Sequence, residues 1–180
     1  YLDLTSSRFA KQLGDITGES VFVDEEFHGG GLHQGGSGSF LDMHVDFNYH
    51  PLNNCLFRNL NILLYLNKGW QPSFGGQLKL KNKNTGESTE IEPIFNRCVI
   101  MFTRDYTLHG YDPITFPEGT FRSSIAAYAY TKLDAPAGEV RSTTWYPENA
   151  NILKRTIGNK WPKLVKLKSK IFGSSTSKNK

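Results

Sequence analysis

The sequence predicts a mainly β chain with flanking helices, wound as an antiparallel barrel or a double-sheet jelly roll. Three observations carry that prediction. Short runs of alternating apolar and polar residues recur between Ser20 and Tyr130. Glycine, proline and asparagine turns separate them, and only one helical pattern lies ahead of them. No internal repeat is present.

In chain order, residues 5–17 read as a helix. Phe9, Leu13 and Ile16 share one face, Thr5–Ser7 supply N-cap candidates, and Gly18 suits the stop. Ser20–Val23 is a short strand. His28 to Gly38 contains six glycines and reads as a loop that either closes over a site or simply connects. His28 and His33 sit in it, but nothing in the sequence fixes their relative geometry for a second metal site.

Phe40–Phe47 is the next strand, and its two-residue period divides it. Leu41, Met43, Val45 and Phe47 form an apolar face, while Phe40, Asp42, His44 and Asp46 form the other. His50-Pro-Leu-Asn-Asn makes a turn. Arg58–Asn67 follows, with Leu60, Ile62, Leu64 and Leu66 opposite Asn59, Asn61, Leu63 and Tyr65. Further strands are predicted at Gln77–Lys81, Ser88–Ile91, Arg97–Phe102 and Arg122–Tyr130. In the last, Arg122, Ser124, Ala126, Tyr128 and Tyr130 share one face.

At 180 residues the chain suits one domain with a sizeable core. No apolar run is long enough to cross a bilayer. Two cysteines, Cys55 and Cys98, make no disulfide framework, and Cys98 alternates with apolar neighbours as a buried thiol would. A reducing compartment is the simpler expectation. The first residue is Tyr1 with no charged-then-apolar leader after it, so the location expected is cytoplasmic, with upstream elements open to having been trimmed.

His44 and Asp46 point the same way from one strand, so an imidazole and a carboxylate can grip one metal ion without distorting it. A bare His-x-Asp is common by chance, so the surroundings decide. The histidines are His28, His33, His44, His50 and His109, and only His109 lies far downstream beside another strand-like run. Two histidines and one carboxylate with open positions are typical of non-haem Fe(II) oxygenases. Arg122 sits on a face of small and aromatic residues, where its charge calls for an anion: a side-chain carboxylate or a ligand carboxylate.

These pieces fall in one order. Gly38-Ser-Phe-Leu-Asp-Met-His44-Val-Asp46 comes first, then Arg58-Asn-Leu-Asn-Ile-Leu-Leu-Tyr65-Leu-Asn-Lys-Gly-Trp70. Gly75-Gly76-Gln-Leu-Lys-Leu80, Asn96-Arg97-Cys-Val-Ile-Met-Phe102, His109-Gly110 and Arg122-Ser-Ser-Ile complete it. The series resembles the prolyl-hydroxylase-like branch of the 2-oxoglutarate/Fe(II)-dependent oxygenases, over about residues 36–131. The resemblance implies a double-stranded β-helix (jelly-roll) core. It implies iron ligation by His44, Asp46 and His109, and 2-oxoglutarate binding by Arg122 and Tyr65. Arg58 and Tyr128 match positions near the substrate, beside the plainer readings of a solvated strand-end arginine and a packing tyrosine. Trp70 and Gly75-Gly76 match fold-forming positions.

The activity implied is a hydroxylase that uses Fe(II), 2-oxoglutarate and O2, with ascorbate as a reductant, and releases succinate and CO2. Its substrate is expected to be a prolyl residue or a proline-like small molecule. The alternatives are an oxygenase acting on another small molecule or a sugar, and a non-catalytic jelly-roll binding module. The module would show a broken ligand set, and here the set is complete. Asp46 argues against halogenation, which needs the carboxylate's coordination position. Tyr128 stands where nucleic-acid demethylases of this kind carry a second arginine, and no strong nucleic-acid signal appears elsewhere. Two departures bear on the substrate: a longer Tyr111–Phe121 loop, and Gln34 where some relatives place a tyrosine.

The charge is uneven. The net +4 conceals a body, residues 1–150, with twelve basic against seventeen acidic residues, and nine Lys or Arg with no acid in the last thirty. We expect an oxygenase domain over 1–149, a basic helical extension over 150–172 broken at Pro162, and a disordered tail over 173–180. Ile152, Leu153, Ile157, Trp161, Leu164, Val165 and Leu167 either pack on the barrel or leave a basic amphipathic face for an anionic partner.

Overall fold

A computed structural model of the chain describes residues 3–136 and 138–146. The expected C-terminal extension and tail lie outside the described residues.

Helix α1 (Ser7–Thr17) starts where Ser6 caps the Phe9 N–H and stops where Gly18 turns left-handed at φ 75°, its N–H on the Gly14 carbonyl. Two antiparallel sheets follow. Strands β1 (Phe22–Val23), β2 (Gly31–Gly35), β4 (Tyr49–His50), β5 (Asn53–Tyr65), β8 (Cys98–Phe102) and β10 (Arg122–Lys132) build the larger. Strands β3 (Leu41–Val45), β6 (Leu78–Asn82), β7 (Ser88–Ile91), β9 (Thr107–Tyr111) and β11 (Thr144–Trp145) build the smaller, in the order β11-β3-β9-β6-β7. This is the mainly antiparallel β architecture, with one helix among the described residues, that a jelly-roll core requires. No helix of the described residues is long and apolar enough to cross a membrane.

The alternation expected for the long strands positions everything else. Leu60 and Ile62 of β5 and Ala127 and Ala129 of β10 pack outward with Leu13 and Val23, under the helix. Asn61, Leu63 and Tyr65, with Arg122, Ser124, Ala126 and Tyr128, face inward across a cavity to β3 and β9. Met43, Val45 and Leu108 form a separate cluster on the far side of the smaller sheet, covered by Tyr146.

Four expectations change. The glycine-rich segment is not all loop. Residues 31–35 pair with Arg122–Ala126, since β10 would otherwise expose an unpaired edge beside the cavity. Cys98 is exposed rather than buried, because it lies at the start of β8, an outer strand of its sheet. The other two changes are β-bulges. Between β3 and β9 the register runs Leu41↔Tyr111 then His44↔His109, three steps against two. Leu41, not Asp42, therefore joins His44 on the cavity wall, while Asp42 lines a shallow outer pocket with Phe40 and Met43. Between β10 and β5 the register runs Ala129↔Leu60 then Tyr130↔Arg58. That shift turns Arg58 inward and sends Asn59 outward to Glu19 and Thr131.

The first bulge brings backbone against backbone at Gly110. A Cβ there would lie 2.5 Å from the Leu41 carbonyl oxygen and 3.1 Å from the Asp42 carbonyl carbon. Gly110→Ala is expected to part β3 from β9, costing about 1–3 kcal/mol of stability. A denaturant titration checks it; an unchanged midpoint would show that the bulge has slack.

Candidate metal centre and its cavity

His44, Asp46 and His109 meet on the wall of a cavity of about 320 Å³, and all three are buried. The HxD strand and β9 place the two imidazoles side by side through the His44↔His109 pairing, with ring centroids 4.1 Å apart. His44 Nε2 lies 3.5 Å from Asp46 Oδ1, and His109 Nε2 lies 3.5 Å from Asp46 Oδ2. His44 Nδ1 is 2.9 Å from the Asp42 carbonyl, so it carries the proton and leaves Nε2 as a lone-pair donor.

Burial alone would raise the Asp46 pKa, yet it is held well below the usual carboxylate range. The Arg58 guanidinium is the strongest opposing cause, followed by the two histidines. Asn61 Nδ2 donates to Asp46 Oδ2 at 3.1 Å, and Arg58 Nη2 stands 3.3 Å from the same oxygen. Burial pushes His109 down to about 4, against the pull of Asp46, so its imidazole is neutral at physiological pH. An anionic carboxylate and two imidazole nitrogens facing one point form a donor set that fits a divalent iron.

Arg58 is 0 % exposed, which excludes the solvated strand-end reading. Its guanidinium lies between the Phe47 and Tyr128 rings, with centroids at 4.0 and 3.2 Å, and it does not line the cavity. Tyr128 does line it, and its hydroxyl donates to the Gly29 carbonyl.

Arg122 lines the same cavity and is 7 % exposed. Its Nε donates to the Gly76 carbonyl at 2.8 Å, its Nη2 donates to the Tyr65 hydroxyl at 3.3 Å, and it stacks on the Tyr111 ring at 4.0 Å. Gly76 has to be glycine: its φ is +79° and a Cβ would stand 2.9 Å from Arg122 Cδ. No carboxylate of the described residues lies within ion-pair distance of Arg122. Burial raises the Tyr65 pKa and so keeps its phenol protonated. The long loop after β9 is pinned. Ile114 and Phe116 are buried, and Ile114 exchanges backbone hydrogen bonds with Gly38 and Ser39. Gln34, from β2, lines the cavity and donates to Ser123.

Sequence patterning missed one group of residues. Strand β11 pairs Trp145 with His44, stacking the two rings at 4.7 Å, and the Tyr146 N–H donates to the Met43 carbonyl. Arg141 donates twice to the Asp46 carbonyl, and its backbone N–H donates to the Asn48 side chain. The two-residue length of β11 left no period to detect.

A family model described as the 2OG-Fe(II) oxygenase superfamily matches residues 30–130. Among solved structures, a Pseudomonas putida prolyl-4-hydroxylase is similar at 26 % identity over 56 % of this chain and 50 % of its own, with a TM-score of 0.45. A Trichoplax adhaerens prolyl hydroxylase, solved with a hypoxia inducible factor oxygen degradation domain peptide fragment, is similar at 27 % identity over 55 % and 41 %, with a TM-score of 0.44. A Phytophthora capsici prolyl 4-hydroxylase shares the fold, at 18 % identity over 96 % and 56 %, with a TM-score of 0.51. The chain spans about half the length of these solved relatives. A comparison with curated proteins finds no match.

Two outcomes are expected of the centre. Trp145→Ala removes the ring that holds the His44 imidazole, and divalent-metal affinity should fall roughly 10–100-fold without loss of the fold. Calorimetric titration with Mn(II) beside circular dichroism checks this, and unchanged affinity would leave Trp145 a packing residue. In chelator-treated protein, the unfolded chain takes up the His109 proton below its ordinary 6.5, whereas the folded chain resists until about 4. Stability should therefore fall as pH drops through that window, by roughly 3 kcal/mol. Denaturant midpoints read across pH should decline there, and a flat profile in that range would contradict the burial of a neutral His109.

Proposed function

Because the chain belongs to the 2OG-Fe(II) oxygenase superfamily, we propose that it is an Fe(II)- and 2-oxoglutarate-dependent dioxygenase that hydroxylates an unactivated C–H bond. One observation carries the proposal. A buried arginine with no carboxylate partner of the described chain shares a cavity with a two-histidine, one-carboxylate cluster. A guanidinium so placed needs an anion, and a dicarboxylate reaching the metal supplies one.

His44, Asp46 and His109 hold the iron. Arg58 and Asn61 keep Asp46 ionised and turned toward it. Arg122 pairs with the distal carboxylate of 2-oxoglutarate, set at its height by the Gly76 carbonyl. Tyr65 accepts from Arg122, so its own phenolic hydrogen is left to donate to that same carboxylate. When bound, Fe(II) and 2-oxoglutarate supply the oxidation: O2 is consumed, one oxygen atom enters succinate as CO2 leaves, and the other becomes the substrate hydroxyl. Ascorbate would serve as the reductant for iron held by His44, Asp46 and His109.

The substrate proposed is a prolyl residue or a proline-like small molecule. Leu41, Leu63, Ala126 and Tyr128 give the cavity walls that suit a small, weakly polar ring. Tyr128 faces that ring, and Arg58 acts on it through the Tyr128 face and Asp46. Gln34, Asn61 and Ser124 on the same walls favour the second reading, a more polar small molecule such as a sugar.

Iron-loaded protein supplied with 2-oxoglutarate and O2 should form succinate, and the yield should rise with a prolyl peptide or free proline above that with sugars. Absence of succinate with every substrate, together with no binding of 2-oxoglutarate, would sink the proposal. Arg122→Ala should raise the 2-oxoglutarate requirement on the order of 10–100-fold, equivalent to about 1.5–3 kcal/mol, while iron still binds. His44→Ala should abolish iron binding. Equal loss of iron in both would make Arg122 a structural residue.

A further inference from the structure

Outside the cavity, Asp24, His28 and His50 converge where the segment entering β2 meets the β4–β5 hairpin. His28 Nδ1 lies 3.0 Å from Asp24 Oδ2 and 3.1 Å from His50 Nε2, and His50 Nε2 lies 3.5 Å from Asp24 Oδ2. The His28 backbone N–H also donates to Asp24 Oδ2 at 2.7 Å. On its other side, His28 Nε2 faces the Glu26 carboxylate at 3.3 Å, and His50 Nδ1 accepts from the Leu52 N–H at 3.2 Å.

Protons alone do not satisfy this set. His50 accepts from Leu52 through Nδ1, so a neutral His50 carries its proton on Nε2. His28 bonds both carboxylates only as an imidazolium, and its Nδ1 proton then faces the Nε2 proton of His50. If His28 instead keeps only its Nε2 proton, its Nδ1 lone pair stands 3.0 Å from an ionised oxygen. Each arrangement leaves a repulsive contact inside the cluster. A cation at the centre removes it, since His28 Nδ1, His50 Nε2 and Asp24 Oδ2 all become ligands. Its one cost is the Leu52 bond, because the His50 proton moves to Nδ1. Leu52 is 67 % exposed, so its N–H is expected to turn to water. Glu26 then accepts from the distal nitrogen of a metal-bound histidine, as carboxylates do at zinc sites.

We propose that Asp24, His28 and His50 form a second metal site, separate from the His44–Asp46–His109 centre, that takes a borderline divalent cation of the zinc class. The separations match one face of a tetrahedron, whose edge is roughly 3.3 Å for ligands about 2.0 Å from zinc. Two imidazoles with one carboxylate select the same class of ion. The cation ties the chain just ahead of β2 to the β4–β5 hairpin. Because β2 supplies His33, Gln34 and Gly35 to the cavity wall, the tie holds that wall in place.

The test counts metal in chelator-treated protein titrated with Zn(II) and Co(II) in the absence of oxygen. Wild type should bind two equivalents, and Asp24→Asn and His28→Ala should each lose one. The His44→Ala/His109→Ala double variant should keep one equivalent and show the strong visible d–d absorption of four-coordinate Co(II). Asp24→Asn preserves side-chain size, so it reports even if His28→Ala fails to fold. Loss of all metal from the double variant would overturn the proposal, as would wild-type stoichiometry in Asp24→Asn. Either result leaves the oxygenase reading standing, because the other centre is counted separately.

Discussion

The Asp46 carboxylate is almost fully buried and fully charged, and the architecture around it follows from keeping that charge tolerable. Removing a carboxylate from water costs several kcal/mol unless other groups replace the hydration. Arg58 supplies the counter-charge and Asn61 a hydrogen bond, while Arg141 holds the Asp46 backbone carbonyl. Arg58 can do so only because a bulge in β5 turns it inward, and only because two aromatic faces replace its own lost water. A cation, were one held by His44, Asp46 and His109 as proposed, would complete the same balance.

Much of this was legible in the sequence. The two-residue periods of β5 and β10 separate the helix-facing residues from the cavity-facing ones, and the structure keeps that separation at Leu60, Ile62, Asn61, Tyr65, Ala127 and Tyr128. Histidine and aspartate at i and i+2 at the end of β3, with a distant histidine, sufficed to suggest the donor set. The bulges were not legible, because an extra residue in a strand leaves no mark in composition. They are why Asp42 left the cavity face and Arg58 joined the interior. The β2 strand was hidden by its glycines, and it forms because β10 has an edge to satisfy rather than from any propensity of residues 31–35. Asp24 carried no signal at all, since its partners His28 and His50 meet it only through tertiary structure.

The long strands β5 and β10, which carry Arg58 and Arg122, also separate two electrostatic tasks. Asp46 is neutralised from within the protein, whereas Arg122 is braced by a carbonyl, a phenol and a ring, none of which cancels its charge. The cavity therefore keeps an uncompensated positive charge at Arg122 on the same wall system as the two-histidine, one-carboxylate cluster.

Anaerobic titration of 2-oxoglutarate into the Fe(II)-loaded chain, followed by visible absorbance, tests that pairing most directly. Chelation of iron by the keto acid should raise a metal-to-ligand charge-transfer band that saturates at one 2-oxoglutarate per iron. A chain that binds Fe(II) at His44, Asp46 and His109 yet develops no such band would contradict the account.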